Sequence, residues 1–477
     1  MSAFKQLFVK KDTTSDILKQ SGLAKTLTAG NLTTMGVGAI VGAGIFITPG
    51  VIASLHAGPA GMLSFVLAAI VCALAALCYS EFSSTIPLAG SAYTYVYTVF
   101  GELIAWVLGW SLVSEYMFSV SSVATSWSAY FQNILAGFGV KLPVALRAAP
   151  GTASVPGGRF DLIAFVIVML IAVLLLGGVH ESAKVNTAMV ILKIAVIVLF
   201  IGVAVFYVKP ANYHPFMPFG VGGVFKGAAL AFYAYVGFDA VSSAAEEVKR
   251  PQRDMPIGIS LSLLIASILY IALATVLVGV VKYTHLNVAD PVAYALEALH
   301  LNALSGIISL GAIVGMTTVL LVMSYGGTRL IFAISRDGLL PQRLHKLHPK
   351  THVPVANTLI FGFVAAVFAA LIPISLVSEL VNIGTLFAFA LVSLGVVFLR
   401  RNPQFANAKA AFHVPFFPWL PLLSFVCCVG LMVMLQGFTW LAFLVWQAVG
   451  LVLYAAYGYH HSRARQALNN ESAPKND

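Results

Sequence analysis

Long apolar runs alternate with short polar stretches along almost the whole chain. A helix needs about 20 predominantly apolar residues to cross the hydrocarbon of a bilayer. Twelve stretches read as such spans: 31–54, 61–85, 98–127, 160–178, 184–208, 225–245, 257–281, 302–333, 355–373, 376–399, 418–437 and 439–460. Proline, asparagine and charge collect between them, as turns require. Within the runs apolar and polar positions do not alternate, so barrel strands of about 10 residues do not fit. The pattern predicts an all-α polytopic membrane protein with about 12 transmembrane helices.

Composition sharpens this picture. Of 477 residues, 60% are hydrophobic and 9% are charged, whereas soluble domains carry about 25% charged residues. A water-soluble fold could not cover so much apolar surface. The net charge of +10 is not spread evenly. With the amino terminus inside, the inner segments hold 20 of the 27 Lys and Arg and the outer segments 6, and Lys193 falls within a span. That bias predicts a cytoplasmic membrane protein with both termini cytoplasmic. It also accounts for the basic balance through anionic membrane lipids and without nucleic acid. Residues 1–30, with Lys5, Lys10, Lys11, Lys19 and Lys25, read as a solvated tail and not as a cleaved signal. Residues 461–477 read as a second polar tail.

Several chemistries find no support. Cys72, Cys78, Cys427 and Cys428 lie in apolar runs without zinc-like partner spacing, so neither a disulfide nor a metal site is expected. No phosphate-binding GxxxxGK[ST] motif suggests an ATP-driven engine. No GxSxG or HExxH suggests a hydrolase. The expectation is a protein that is not an enzyme and holds no cofactor.

The first span contains Gly36, Gly38, Gly42 and Gly44 in GVGAIVGAGIF. Glycine weakens a helix interior by about 1 kcal/mol and lets a ligand approach the backbone. Small residues four apart also serve tight helix packing, and spacing alone leaves both readings open. The sixth span, KGAALAFYAYVGFDAVSSAAEE, carries Gly237 and Asp239 near its middle. Interrupted spans at corresponding places in two halves mark the site of an inverted-repeat carrier. The repeats would be residues 31–208 and 225–399, with 418–460 appended. Unwinding frees backbone groups that need partners inside a bilayer. A zwitterion supplies them: its carboxylate suits a half-helix N-terminus and its ammonium a half-helix C-terminus. An amino acid is the natural ligand, although a polyamine or choline-like cation would use part of such a site.

Three charges lie within spans: Glu115, Lys193 and Asp239. Each reads as functional or as half of a structural ion pair. Glu115 would relay a proton or favour cationic side chains. Asp239 would cap the freed amides of the sixth span or take part in proton transfer. Phe232, Tyr233, Tyr235 and Phe238 would form an aromatic wall or ordinary packing. Glu81 and Glu102, near span ends, read as structural.

Several motifs together resemble one family: GVGAIVGAGIF, PLAGSAYTY (87–95), WSLVSEYMFS around Glu115, NTAMVILKIAVIVLF around Lys193, FYAYVGFDAVSSAAEEVKRPQRDMP and MSYGGTRLIFAISRDGLLP. In that order they are similar to the amino acid–polyamine–organocation superfamily, and to the bacterial branch of its cationic amino acid transporter family. The resemblance runs over roughly residues 25–460. It implies a LeuT-type fold and proton-coupled uptake of amino acids. By the same resemblance Ile40, Val41, Gly42, Ala43 and Gly44 line the carboxylate side, Tyr233 and Val236 flank the sixth-span break, and Met323 limits room for the side chain. Lys193 would replace the sodium ion of sodium-coupled relatives, which makes a proton the coupling ion. Ala43 stands where relatives often carry a hydroxyl, and Tyr233 where phenylalanine is common.

Met323 favours small neutral or broad-range L-amino acids. The alternatives are a cationic amino acid permease, an amino acid or polyamine exchanger, and an amino acid sensor that transports nothing. A small accessory membrane subunit is left open by the sequence. Glu246, Glu247, Lys249, Arg250 and Arg253 would pair with the loop at 335–354 to form an inner gate of weak exposed pairs. His345, His348 and His352 read as solvated surface.

Overall fold

The computed structural model describes residues 7–10, 25–88, 90–152, 155–177, 182–288, 290–351, 353–401 and 412–466. Lys5, Lys11, Lys19, Lys409 and Lys475 of the charge pattern, Ala89 of the PLAGSAYTY motif, His352 and most of both predicted tails lie outside them.

The first span is two helices, α1 (Ala29–Ile40) and α2 (Ala43–Ile52). Thr28 and Asn31 form a capping box that satisfies amides at the start of α1. There follow α3 (Gly61–Thr85), the short α4 (Ser91–Phe100), α5 (Glu102–Gly137), α6 (Leu162–Leu176) and α7 (Ser182–Ala204). The sixth span comprises α8 (Gly220–Tyr235) and a 3₁₀ helix over Phe238–Glu247. The remainder is α9 (Pro251–Val280), a short α10 (Pro291–Glu297), α11 (Asn302–Arg336), α12 (Val355–Leu371), α13 (Ile374–Arg401), α14 (Trp419–Val433) and α15 (Gly437–Leu453).

Among the described residues, 8 helical stretches are long and apolar enough to cross a membrane. One of these, Ala43–Thr85, holds the second half of the first crossing and all of the second. The shorter apolar helices α6, α12 and α14 supply three more. The chain is an all-α, multi-pass membrane protein. Leu170, Leu174, Ile191, Val198, Ile268, Leu310 and Val452 point outward, as a lipid-facing surface requires.

The third span differs from its expected bounds of 98–127. Gly101, at φ +94°, turns the chain between α4 and α5, so the span starts later. It runs further because its polar end finds partners. Ser128 donates to Asp161 at 2.6 Å, and Gln132 donates to the Arg147 carbonyl at 2.8 Å.

Two groups of helices pack together. In one, α9 lies along α3 and α1, and α8 lies along α3. In the other, α5 lies along α11, α12 and α13, while α12 packs on α6. Buried ion pairs tie the ends of the bundle. Glu81 takes two 2.7 Å bonds from Arg400 and a third, also 2.7 Å, from the Val414 amide. Glu102 accepts from Arg465 at 2.7 Å and from the Tyr97 and Tyr454 hydroxyls at 2.8 Å. Both carboxylates thus have the structural role read for them.

Candidate functional site

Each broken span comes apart at a glycine. Helix α1 ends at Ile40; Val41 and Gly42 leave helical geometry, and α2 resumes at Ala43. Helix α8 ends at Tyr235, Val236 is extended, and Gly237 sits at φ +124°. A side chain there would meet strain and also Ala39 and Met323, with Met323 Cε 2.8 Å from an added Cβ. At Gly44 an added Cβ would lie 2.6 Å from the Ala234 Cα. The two spans therefore touch at their breaks, with no room for a side chain at the crossing. Four half-helix ends meet at one level: carbonyl ends of α1 and α8, amide ends of α2 and the 3₁₀ helix. Their partial charges, about +0.5 at each amide end and −0.5 at each carbonyl end, suit a small solute carrying both signs.

Of the residues expected to line the site, Ile40, Val41, Gly42, Ala43 and Gly44 form the first break. Val236 forms the second, and Met323, buried, faces it from α11. Tyr233, in the last turn of α8 before the break, pairs its hydroxyl with Ser122 of α5 at 2.8 Å. The other aromatics are packing: Phe232 and Phe238 lie against Phe389, and the Tyr235 hydroxyl donates to the Phe65 carbonyl at 3.1 Å.

Lys193 lies wholly inside the protein. Its Nζ donates to the Gly38 carbonyl at 2.9 Å, the Val41 carbonyl at 2.8 Å and Thr318 Oγ1 at 2.9 Å. Among the described residues no carboxylate pairs with it. A buried ammonium carries a desolvation penalty of several kcal/mol. Here three acceptors use all three of its protons, and the two carbonyls belong to the negative end of α1. The contacts join α7, the first break and α11 through one side chain.

Glu115 and Asp239 are also fully buried. Asp239 Oδ2 accepts from the Tyr116 hydroxyl at 3.2 Å, and its carboxylate faces amides at the start of the 3₁₀ helix. Glu115 lies close enough to Asp239 for their charges to interact, with Thr385 beside it. Tyr79 packs edge-on against Phe238 at 5.9 Å, and its hydroxyl is near both carboxylates. The two acids thus form a cluster behind the sixth-span break, separate from the Lys193 contacts.

The ends of the site are covered. On the side where the described chain starts and finishes, Glu247 meets Arg329 at 3.5 Å and accepts from the Tyr325 hydroxyl at 2.8 Å. Glu246 meets Arg336 at 3.6 Å. Glu246–Arg336 is a pair expected with the stretch 335–354, whereas Arg329 lies before it; both pairs, expected to be exposed, are largely buried, because Arg329 and Arg336 project from α11 and stack on Tyr325 and Phe332. Leu27 bridges to Val248 beside them. His345 on this side contacts Ser335 Oγ at 3.2 Å, and burial together with Arg463, Arg336 and Lys346 lowers its pKa. On the other side Trp127 donates to Thr317 at 3.0 Å, bridging α5 and α11.

Two residues of the site were not singled out from sequence. Thr318 completes the Lys193 contacts. Tyr270 of α9 places its hydroxyl 2.8 Å from both the Ile40 and the Ala234 carbonyl. A lone phenol in the middle of an apolar run was the available signal, but nothing in the spacing said which break it would face.

The amino acid permease family model matches residues 27–455. The chain is 49% identical to a methylthioribose transporter of Bacillus subtilis, over 96% of this chain and 98% of that one. It is 48% identical to the branched-chain amino acid permease BcaP of Bacillus subtilis, over 96% and 99%. The vacuolar cationic amino acid transporter 4 of Arabidopsis thaliana is 38% identical over 81% of this chain and 66% of its own. With a match from before α1 to beyond α15 and two spans broken face to face, the chain belongs to the amino acid permease family, as a bacterial-type, cationic amino acid transporter-like member, and is a transporter rather than an enzyme.

Proposed function

We propose that the protein is a secondary carrier of the cell membrane that takes up small neutral or broad-range L-amino acids with protons by alternating access. Both termini face the cytoplasm in this reading, in line with the Lys and Arg bias. Residues 31–208 and 225–399 are the two inverted repeats, and 418–460 is appended.

The observation that carries the proposal is the meeting of four half-helix ends at Gly42 and Gly237. The substrate carboxylate takes the amides at the start of α2, along Gly42, Ala43 and Gly44. The ammonium takes the carbonyls at the ends of α1 and α8. The side chain points toward Met323 and Val236. Tyr233 and Ser122 cover one side, and the Glu247–Arg329 pair closes the other.

Lys193 is the coupling group. As an ammonium it offers three donors and holds Gly38, Val41 and Thr318 together. A neutral amine offers two donors, so loss of the proton loosens the first break from α11. Glu115 and Asp239, in their separate cluster behind the sixth-span break, take part in proton transfer there.

Purified protein in liposomes tests this. Labelled alanine should enter empty vesicles under an inward proton gradient, and a protonophore should abolish the accumulation. Leucine, isoleucine, valine, arginine, lysine and methylthioribose as competitors rank the substrates. Entry that requires internal amino acid makes the protein an exchanger, and binding without entry makes it a sensor. Competition by methylthioribose alone overturns the amino acid reading.

A further inference from the structure

Tyr270 presents a problem of hydrogen-bond arithmetic. Its hydroxyl oxygen is 2.8 Å from the Ile40 carbonyl and 2.8 Å from the Ala234 carbonyl. Both are carbonyls of a last helical turn, where no amide four residues on is in helical register. A phenol has one proton, so it cannot give both acceptors a full bond at once. Nor can the ring move aside easily. It is wholly buried, 6.0 Å from the Phe65 ring and 5.1 Å from the Tyr235 ring by centroid. Helix α9 therefore carries a single donor, fixed between the negative ends of the two broken helices.

An α-ammonium has three donors and full charge. Arriving at the same two carbonyls, it supplies what the phenol shares out. We infer that Tyr270 is a positioning residue whose hydroxyl stands in for the substrate ammonium, so that the two breaks stay closed together when the carrier is empty. This rests on the proposed binding of an amino acid at the breaks and adds a consequence for the transport cycle. A carrier whose buried carbonyls were unsatisfied without substrate would change conformation readily only when loaded, and would be confined to exchange. A carrier with its own donor returns empty and supports net uptake.

Tyr270→Phe removes the donor and keeps the ring. Reconstituted protein is assayed twice with labelled alanine: net uptake into empty vesicles under a proton gradient, and exchange against internal alanine. The ratio of net uptake to exchange should fall roughly tenfold, the effect of leaving one buried acceptor without its donor. A second readout is the rise in melting temperature on adding alanine to detergent-purified protein. It should be larger in the variant than in the wild type, because the ligand then restores a missing donor. Equal loss of both transport modes, an unchanged ratio, or an alanine-induced melting shift no larger than that of wild type would overturn the inference. Failure of the wild type to transport any amino acid in either mode would instead sink the reading of the site.

Discussion

Lys193→Met exchanges a buried ammonium for an apolar side chain of similar length. Hydrogen bonds to a charged group contribute about 1.5–3 kcal/mol each, and desolvating the ammonium takes back several kcal/mol. The stability change is therefore set by what the replacement leaves behind. The Thr318 hydroxyl has one proton, which it can turn to the Gly38 carbonyl at 3.2 Å, because the Gly315 carbonyl at 2.7 Å already lies within α11. The Val41 carbonyl loses the Lys193 donor. One unsatisfied buried acceptor costs about 1–3 kcal/mol, so the variant should fold, with a modestly lower melting temperature. Transport should change far more, because no side chain that gains and loses a proton then holds the first break to α11. Labelled alanine uptake into vesicles under an imposed proton gradient, measured as the external pH is lowered stepwise from above neutral, is the assay. Wild-type accumulation should rise as external pH falls, and the variant should accumulate alanine at least about tenfold less, with a flat profile. Wild-type uptake with an unchanged pH dependence in Lys193→Met would refute the coupling role.

Other positions give independent checks. Met323→Ala empties the space beside Gly237 and should shift competition toward longer side chains such as leucine, while lowering stability by about 2–5 kcal/mol; a smaller inhibition constant for alanine than for leucine, unchanged from wild type, would count against a pocket bounded by this side chain. Arg465→Ala strips Glu102 of its buried cation and should be the most destabilising of these changes, by about 3–5 kcal/mol, read as melting in detergent. Glu247→Gln weakens the Arg329 pair and its Tyr325 contact; replacing a charged acceptor by a neutral one in this largely buried pair, a loss of about 1 kcal/mol, should speed release of bound substrate toward that side several-fold, and an unchanged release rate would remove these residues from gating.

The path from residues to site shows where reading along the chain stops. Span count, all-helical class and the glycines that permit a break in the first and sixth spans follow from local properties, while glycine spacing alone did not tell a break at Gly42 from tight packing. An apolar run either reaches across a bilayer or does not, and a glycine permits φ +124° whatever surrounds it. Lys193 stood out because an ammonium deep in an apolar run is costly and must be answered by something. Its partners were another matter: Gly38, Val41 and Thr318 lie 155, 152 and 125 residues away in the chain. The same holds for Tyr233, whose partner Ser122 lies 111 residues away, and for Tyr270, whose two acceptors sit on different spans. Which face of a helix looks toward a neighbour depends on how twelve crossings pack, and a buried polar atom takes whatever partner that packing brings within 3 Å. The sequence by itself determined how often the chain crosses and that its first and sixth crossings carry the glycines a break needs. Only the tertiary structure decided which carbonyls, hydroxyls and charges meet at those breaks, because hydrogen-bond geometry is a property of helices placed side by side.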